Sequence, residues 1–119
     1  MQNSNLKIKT DLKKRVYFYA LDIIKFIDTL NKKDFSVQVI ARQLIRSATS
    51  IGANIVEAQA GRSKRDFTNF FTHALKSANE TKFWLGLLRD SSKANKEQSN
   101  ELANILASSI LTLKGKKKF

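Results

Sequence analysis

The chain offers few side chains that could carry out acid-base, nucleophilic or metal chemistry. It contains one His, His73, and no Cys, so a zinc site would need carboxylates from several helices. We interpret His73 as an interface imidazole. Neither Glu57 nor Glu80 has a His three residues later, the spacing of ferritin-like di-iron sites. Gly52 and Gly61 lack the Gly-Lys-Ser or Gly-Lys-Thr context of a phosphate-binding loop. This inventory predicts a protein without enzymatic activity, metal or cofactor.

The two glutamates could still form an acid-base pair if their surroundings pushed their pKa values apart. A structural role is the stronger interpretation, because both follow small polar residues at the three- and four-residue steps that define one helix face. A carboxylate in such a seam acts as a hydrogen-bond hub that fixes helix register, and losing it would cost about 1 to 3 kcal/mol. The predicted structural hub consists of Ser50, Asn54, Glu57, Ser77 and Glu80.

A hub of this kind needs long helices, and the composition favours them. The 119 residues suffice for one domain with a single core. Pro is absent and there are only four Gly, so long helices are permitted and a turn-rich β-sandwich is disfavoured. Apolar residues recur at helical spacing in four segments. The segments run from Asp11 to Leu30, from Phe35 or Ser36 to Gly61, from Ser63 to about Arg89, and after Asn95. The predicted fold class is all-α, an antiparallel up-and-down four-helix bundle.

The chain ends and helix boundaries carry further signals. Residues 1–119 form the single predicted domain, with 1–9 as a loosely ordered arm and 114–119 as a basic tail. Thr10 is the predicted first cap, Gly61 a helix stop, and Ser63 with Asp66 resembles a capping box. The first ten residues have no signal-peptide core, and no apolar run approaches the roughly 20 residues of a membrane span. We therefore expect a cytoplasmic protein without a membrane partner.

The charge balance points to a polyanionic partner. Lys and Arg number 22 against 10 Asp and Glu, a formal net charge of +12, and nucleic acid is the commonest polyanion that binds such proteins. Stacking on unpaired bases is not expected unless Trp84, Tyr17 or Tyr19 is exposed, because the phenylalanines of the third helix fall on its core stripe. Simple solvation is the alternative interpretation of the cations. The candidate phosphate contacts are Lys13, Lys14, Arg15, Arg42, Arg46, Arg62, Lys64, Arg65, Lys116, Lys117 and Lys118.

Several motifs resemble a known family over nearly the whole chain. They are S-I-G-A-N-I-V-E-A from Ser50, then A-G-R-S, D-F-x-x-F, and A-L-K-S-A-N-E-T followed by W-L. This pattern is similar to the four-helix-bundle proteins encoded within intervening sequences of bacterial 23S ribosomal RNA genes, a family related to the accessory variability determinant of diversity-generating retroelements. The sequence departs from many relatives at Ala58, where Gly is expected.

The resemblance implies an up-and-down bundle that assembles as a homopentamer, with nucleic acid as its partner. The wide apolar face of the first helix also predicts self-association. The alternative function is a protein-interaction scaffold or accessory subunit that docks an acidic or nucleic-acid-bound partner such as a reverse transcriptase.

Overall fold

The computed structural model describes residues 2–110, with side chains from residue 11 to residue 108. The helices are α1 (Gln2–Asp28), α2 (Phe35–Ala60), α3 (Lys64–Asp90) and α4 (Lys96–Ile105), and a π-helical turn, Leu106–Ile110, continues α4. Successive helices run antiparallel and pack side by side in a rod of 49 × 22 × 21 Å. The predicted all-α, up-and-down four-helix bundle is therefore confirmed.

The two outer helices differ from the predicted boundaries. The first, α1, already begins at Gln2, so the cap predicted at Thr10 is wrong and residues 2–9, expected as a loosely ordered arm, are helical. That segment contains neither Pro nor Gly, so nothing in it stops a helix. The α-helical part of α4 ends at Ile105, and the wider π turn follows. The predicted basic tail, 114–119, lies outside the described residues.

Side chains cap the starts of α2 and α3, and a glycine ends α2. Asp34 accepts a hydrogen bond from the backbone N of Val37 at 3.2 Å, and Ser63 accepts one from the backbone N of Asp66 at 3.1 Å. Gly61 ends α2 as predicted. A Cβ on Gly61 would lie only 3.1 Å from the Cβ of Asp66, so a residue without a side chain lets α3 begin close to the end of α2.

The core lies along the bundle axis and includes most of the apolar series predicted for α2, such as Leu44, Ile51 and Ile55. In α1 the core includes the aromatic side chain of Tyr19. The Tyr19 hydroxyl donates a hydrogen bond to the carbonyl oxygen of Leu102 at 2.8 Å, which joins α1 to α4 and closes the bundle. Burial raises the pKa of Tyr19 above its ordinary value, so the hydroxyl keeps its proton.

Candidate nucleic-acid interface

A row of hydroxyl and amide groups connects α2 to α3, as the sequence predicts. The Ser77 hydroxyl donates a hydrogen bond to Oγ of Ser50 at 2.9 Å. The side-chain amide of Asn54 donates to the same oxygen at 3.0 Å. Three of the five predicted hub residues therefore meet around one hydroxyl oxygen that accepts two hydrogen bonds.

A second pair of hydroxyls lies deeper in the same interface and is absent from the predicted hub. Oγ1 of Thr81 lies 2.8 Å from Oγ of Ser47, and neither residue is accessible to solvent. The Thr81 hydroxyl also lies 2.8 Å from the carbonyl oxygen of Ser77. The sequence contains a signal for this pair, because Thr81 occupies one position in a run of core residues spaced four and three apart. That run is Ala74, Ala78, Thr81, Leu85 and Leu88.

The two predicted hub carboxylates lie outside the row of hydroxyls. Glu80 is partly exposed, forms an ion pair with Arg46 and accepts a hydrogen bond from Nε1 of Trp84 at 3.3 Å. Glu57 is exposed, so its assignment to a buried hub is wrong. Ser47, which is buried against α3, lies ten residues before Glu57. Ten residues fall about 80° short of three full helical turns, so Glu57 is rotated away from the α3 interface towards solvent. His73, expected at an interface, is also exposed.

Six of the predicted phosphate contacts lie on the half of the rod that includes the α2–α3 turn. Three of them, Arg62, Lys64 and Arg65, belong to that turn and the start of α3. Val16 of α1 lies beside Gly52 of α2, so the three cations just before Val16 lie near the middle of α1, about 8 Å along the axis from the end of α2. We call this group the basic end: Lys13, Lys14, Arg15, Arg62, Lys64 and Arg65, all exposed.

None of these six cations forms an ion pair with another described residue. The described carboxylates in the same part of the rod are Asp11, Glu57 and Asp66, half the number of the cations. The basic end therefore presents free positive charge.

The remaining predicted contacts are elsewhere. Arg42 is 18 residues before the end of α2 at Ala60, about 27 Å along the helix, and Arg46 is held by Glu80. At the opposite end cations are matched by carboxylates, as in the ion pair between Lys93 and Asp34 at 2.5 Å. This hydrogen bond lowers the pKa of the Asp34 carboxyl. Lys116, Lys117 and Lys118 lie outside the described residues. Six of the eleven candidates thus lie on the half of the rod that includes the α2–α3 turn.

A wide apolar groove runs between α1 and α2 next to the basic end. We call it the α1/α2 groove; it has a volume of about 760 Å³. Tyr17 is 63% exposed and Phe18 is 57% exposed, and their rings meet edge to face with centroids 5.6 Å apart. Tyr19 is buried. The polar residues that line the groove are Lys13, Lys14, Thr49 and Glu57. The apolar lining is Val16, Tyr17, Phe18, Ala20, Gly52, Ala53 and Val56.

The described residues contain neither a membrane-spanning helix nor a group of metal-binding side chains. Residues 2–110 contain no helix whose apolar stretch is long enough to cross a bilayer. Between residues 11 and 108, no three His, Asp or Glu side chains converge in a group that could hold a metal ion.

Comparisons with known proteins agree with the motifs found in the sequence. The family model described as "23S rRNA-intervening sequence protein" matches residues 9–115. A solved structure of a protein of unknown function from the S23 ribosomal protein family of Bacteroides thetaiotaomicron is 36% identical, with a TM-score of 0.79. The match covers 88% of this chain and 92% of that one. Curated proteins yield no significant match. The long match and the shared fold together show that this chain belongs to the 23S rRNA-intervening sequence protein family.

Proposed function

We propose that the chain is a non-enzymatic nucleic-acid-binding bundle that acts as a homo-oligomer in the cytoplasm and contacts phosphates through its basic end. The observation that carries this proposal is a set of six exposed cations on the half of the rod that includes the α2–α3 turn, none of which has an ion-pair partner among the described residues. Charges that are already paired must lose one partner before they bind another, whereas these six are available to phosphate groups. The family name, which refers to 23S rRNA, and the "S23 ribosomal protein family" of the solved relative also favour an RNA partner.

Contacts of this kind read phosphate charge and backbone shape rather than base identity, because phosphate contacts carry no sequence information. Each phosphate that a cation neutralises releases counterions. The slope of log K against log salt concentration therefore becomes steeper by about 0.9 per contact on duplex DNA and by about 0.7 per contact on single strands. The number of contacts is therefore measurable as a slope.

The test is a fluorescence-anisotropy titration of a labelled RNA hairpin at several salt concentrations. We expect the variant Arg62→Gln/Lys64→Gln to bind more weakly and to show a salt slope shallower by about 1.4 to 1.8, the value for two lost phosphate contacts. The matched control is Lys33→Gln/Lys96→Gln, which removes the same charge from exposed positions at the opposite end of the rod. Equal losses in both variants, or no binding by the unaltered protein at low salt, would contradict the proposal.

The homo-oligomer rests on a separate observation, exposed apolar side chains at the end of the rod where α2 begins and α3 ends. Phe35 is 77% exposed, and Val39, Phe83 and Leu87 are also exposed. We call these four residues the apolar patch, and exposed apolar patches mark association sites. Five copies, the number that the family resemblance implies, would have a mass of 5 × 13.5 = 67.5 kDa, which light scattering distinguishes from the 13.5 kDa monomer.

We expect Phe83→Asp to lower the mass measured by light scattering, because a carboxylate in an apolar interface loses its hydration. An unaltered protein that is monomeric at tens of micromolar would contradict self-association. The same apolar patch would then favour the accessory-subunit alternative, with a protein partner such as a reverse transcriptase in place of another copy.

A further inference from the structure

The α1/α2 groove combines an exposed aromatic wall with neighbouring cations. Lys13 and Lys14 precede Tyr17 by four and three residues, the spacing that places side chains next to one another on a helix surface. Both lysines and the Tyr17 ring line the groove. This arrangement offers an apolar, aromatic surface for a planar group and positive charge for anionic groups beside it.

We propose that the α1/α2 groove binds an unpaired nucleobase by stacking on Tyr17 while Lys13 and Lys14 contact the flanking phosphates. The proposal rests on the proposed function and names its ligand class more narrowly, as nucleic acid with unpaired bases. The sequence predicts base stacking only if Trp84, Tyr17 or Tyr19 is exposed, and Tyr17 is mostly exposed.

The floor of the groove is suited to a flat ligand. Gly52 and Ala53 contribute almost no side chain to the lining. A Cβ built on Gly52 would be in van der Waals contact with Val16 at 3.7 Å, so this glycine lies where α1 packs on α2, and the exposed Ala53 lies beside it. A volume of about 760 Å³ falls within the range of small-ligand sites and exceeds what one base requires.

Charge favours a nucleic acid over a second copy of the chain as the occupant. Lys13 and Lys14 outnumber Glu57, the one carboxylate among the residues described as lining the groove, so the margin of the groove is positive. A nucleic acid strand supplies both a base and the phosphates that these lysines attract. A continuous duplex cannot fill the groove, because its bases are stacked between neighbours and must be extruded first.

The experiment compares two RNA hairpins that differ only in a three-nucleotide bulge, titrated by fluorescence anisotropy at one fixed salt concentration. Stacking of one base on an aromatic side chain predicts that the bulged hairpin binds about 5- to 150-fold more tightly than the fully paired one. Equal affinity for the two hairpins would overturn this inference and leave the phosphate-binding proposal intact. Failure to bind either hairpin would overturn both.

Three variants assign the preference to the groove. Tyr17→Ala should abolish the preference for the bulged hairpin and Tyr17→Phe should retain it, because phenylalanine keeps the stacking ring. Ala53→Leu should abolish it in a second way, by filling the groove while leaving Tyr17 in place, so the test survives if Tyr17→Ala fails to fold. The control is Ile45→Ala, an exposed apolar residue of α2 that belongs neither to the groove nor to the apolar patch proposed for self-association.

The same samples decide between a nucleic acid and another copy of the chain. The mass from light scattering should be unchanged in Tyr17→Ala. A Tyr17→Ala or Ala53→Leu protein that keeps the preference for the bulge would overturn the proposal. A variant that loses assembly together with its affinity for both hairpins would show that the groove is a contact between subunits and would overturn the proposal as well.

Discussion

Removing one hydroxyl of the Ser47–Thr81 pair should destabilise the bundle more than its small size suggests. Both residues are inaccessible to solvent, so water cannot replace the lost partner. Thr81→Val preserves the side-chain shape and leaves Oγ of Ser47 facing a methyl group. A buried polar group without its partner costs about 1 to 3 kcal/mol. Ser47 retains the carbonyl oxygen of Leu44 at 3.2 Å, so we expect the lower part of that range, about 1 to 2 kcal/mol.

Removing the other hydroxyl of the pair, by Ser47→Ala, should cost a similar amount. The Thr81 hydroxyl would then have only the carbonyl oxygen of Ser77, in its own helix, as a hydrogen-bond partner. The double variant removes both polar groups and leaves none unsatisfied, a change that is often nearly neutral. The double variant should therefore cost less than the sum of the single variants, by about 1 kcal/mol. This coupling is the free energy of the interaction between α2 and α3, separated from the cost of burying each hydroxyl.

The measurement is urea denaturation followed by circular dichroism, at one fixed protein concentration because assembly would make stability concentration-dependent. A loss of 1 kcal/mol should lower Tm by about 3 to 6 °C for a chain of this length. Thr49→Val is the matched control, because its exposed hydroxyl bonds only to carbonyl oxygens of its own helix. Single variants that are neutral, or costs that add without coupling, would refute the reasoning.

Three further predictions test charges and glycines by the same denaturation assay. Glu57→Ala should change stability by less than about 0.5 kcal/mol, because the side chain is exposed; a loss of 1 to 3 kcal/mol would restore Glu57 to the hub. The hydrogen bond from Lys93 keeps the pKa of Asp34 below its ordinary value. The ionised carboxyl therefore stabilises the fold at every pH above the ordinary pKa, and this stabilisation is lost as the pH falls through the lowered pKa. Asp34→Asn should therefore weaken the acid dependence of stability below about pH 4 while keeping a good N-cap; an unchanged profile would contradict this. Gly86→Ala should stabilise α3 by about 0.5 to 1 kcal/mol, since its Cβ would meet only Nη2 of Arg89 at 3.8 Å, whereas Gly61→Ala should destabilise because its Cβ would lie 3.2 Å from a backbone carbonyl oxygen. Equal effects of the two glycine changes would contradict the packing argument.

The helical bundle could be predicted because its apolar residues repeat at one period through three long segments. In α2 the series from Val37 to Ala58 predicts the buried face almost residue by residue, with Ile40 half-buried as the exception. The start of α1 could not be predicted in the same way. Residues 2–9 carry only two apolar side chains, so the helix there has no periodic signal.

The candidate site was predictable in type and less so in position. Spacing placed Ser50, Asn54 and Ser77 together correctly, because small errors in helical angle do not matter over one turn. Glu57 lies ten residues, about 80° short of three full turns, from the buried Ser47, and this rotation leaves Glu57 exposed and outside the hub. The gathering of cations from α1 and from the α2–α3 turn depends on which helices are neighbours. No local pattern contains that information, and only the fold supplies it.

The unpaired cations of the basic end lie on one half of the described bundle, so charge is distributed unevenly along the 49 Å axis and gives the rod an electric dipole moment. In the field of a polyanion this dipole experiences a torque that turns the basic end forward before contact. The Debye length at physiological salt is about 8 Å, far shorter than the rod, so the alignment takes place only in the last nanometre of approach. Added salt should therefore slow association more than it speeds dissociation, because orientation is lost before any contact forms.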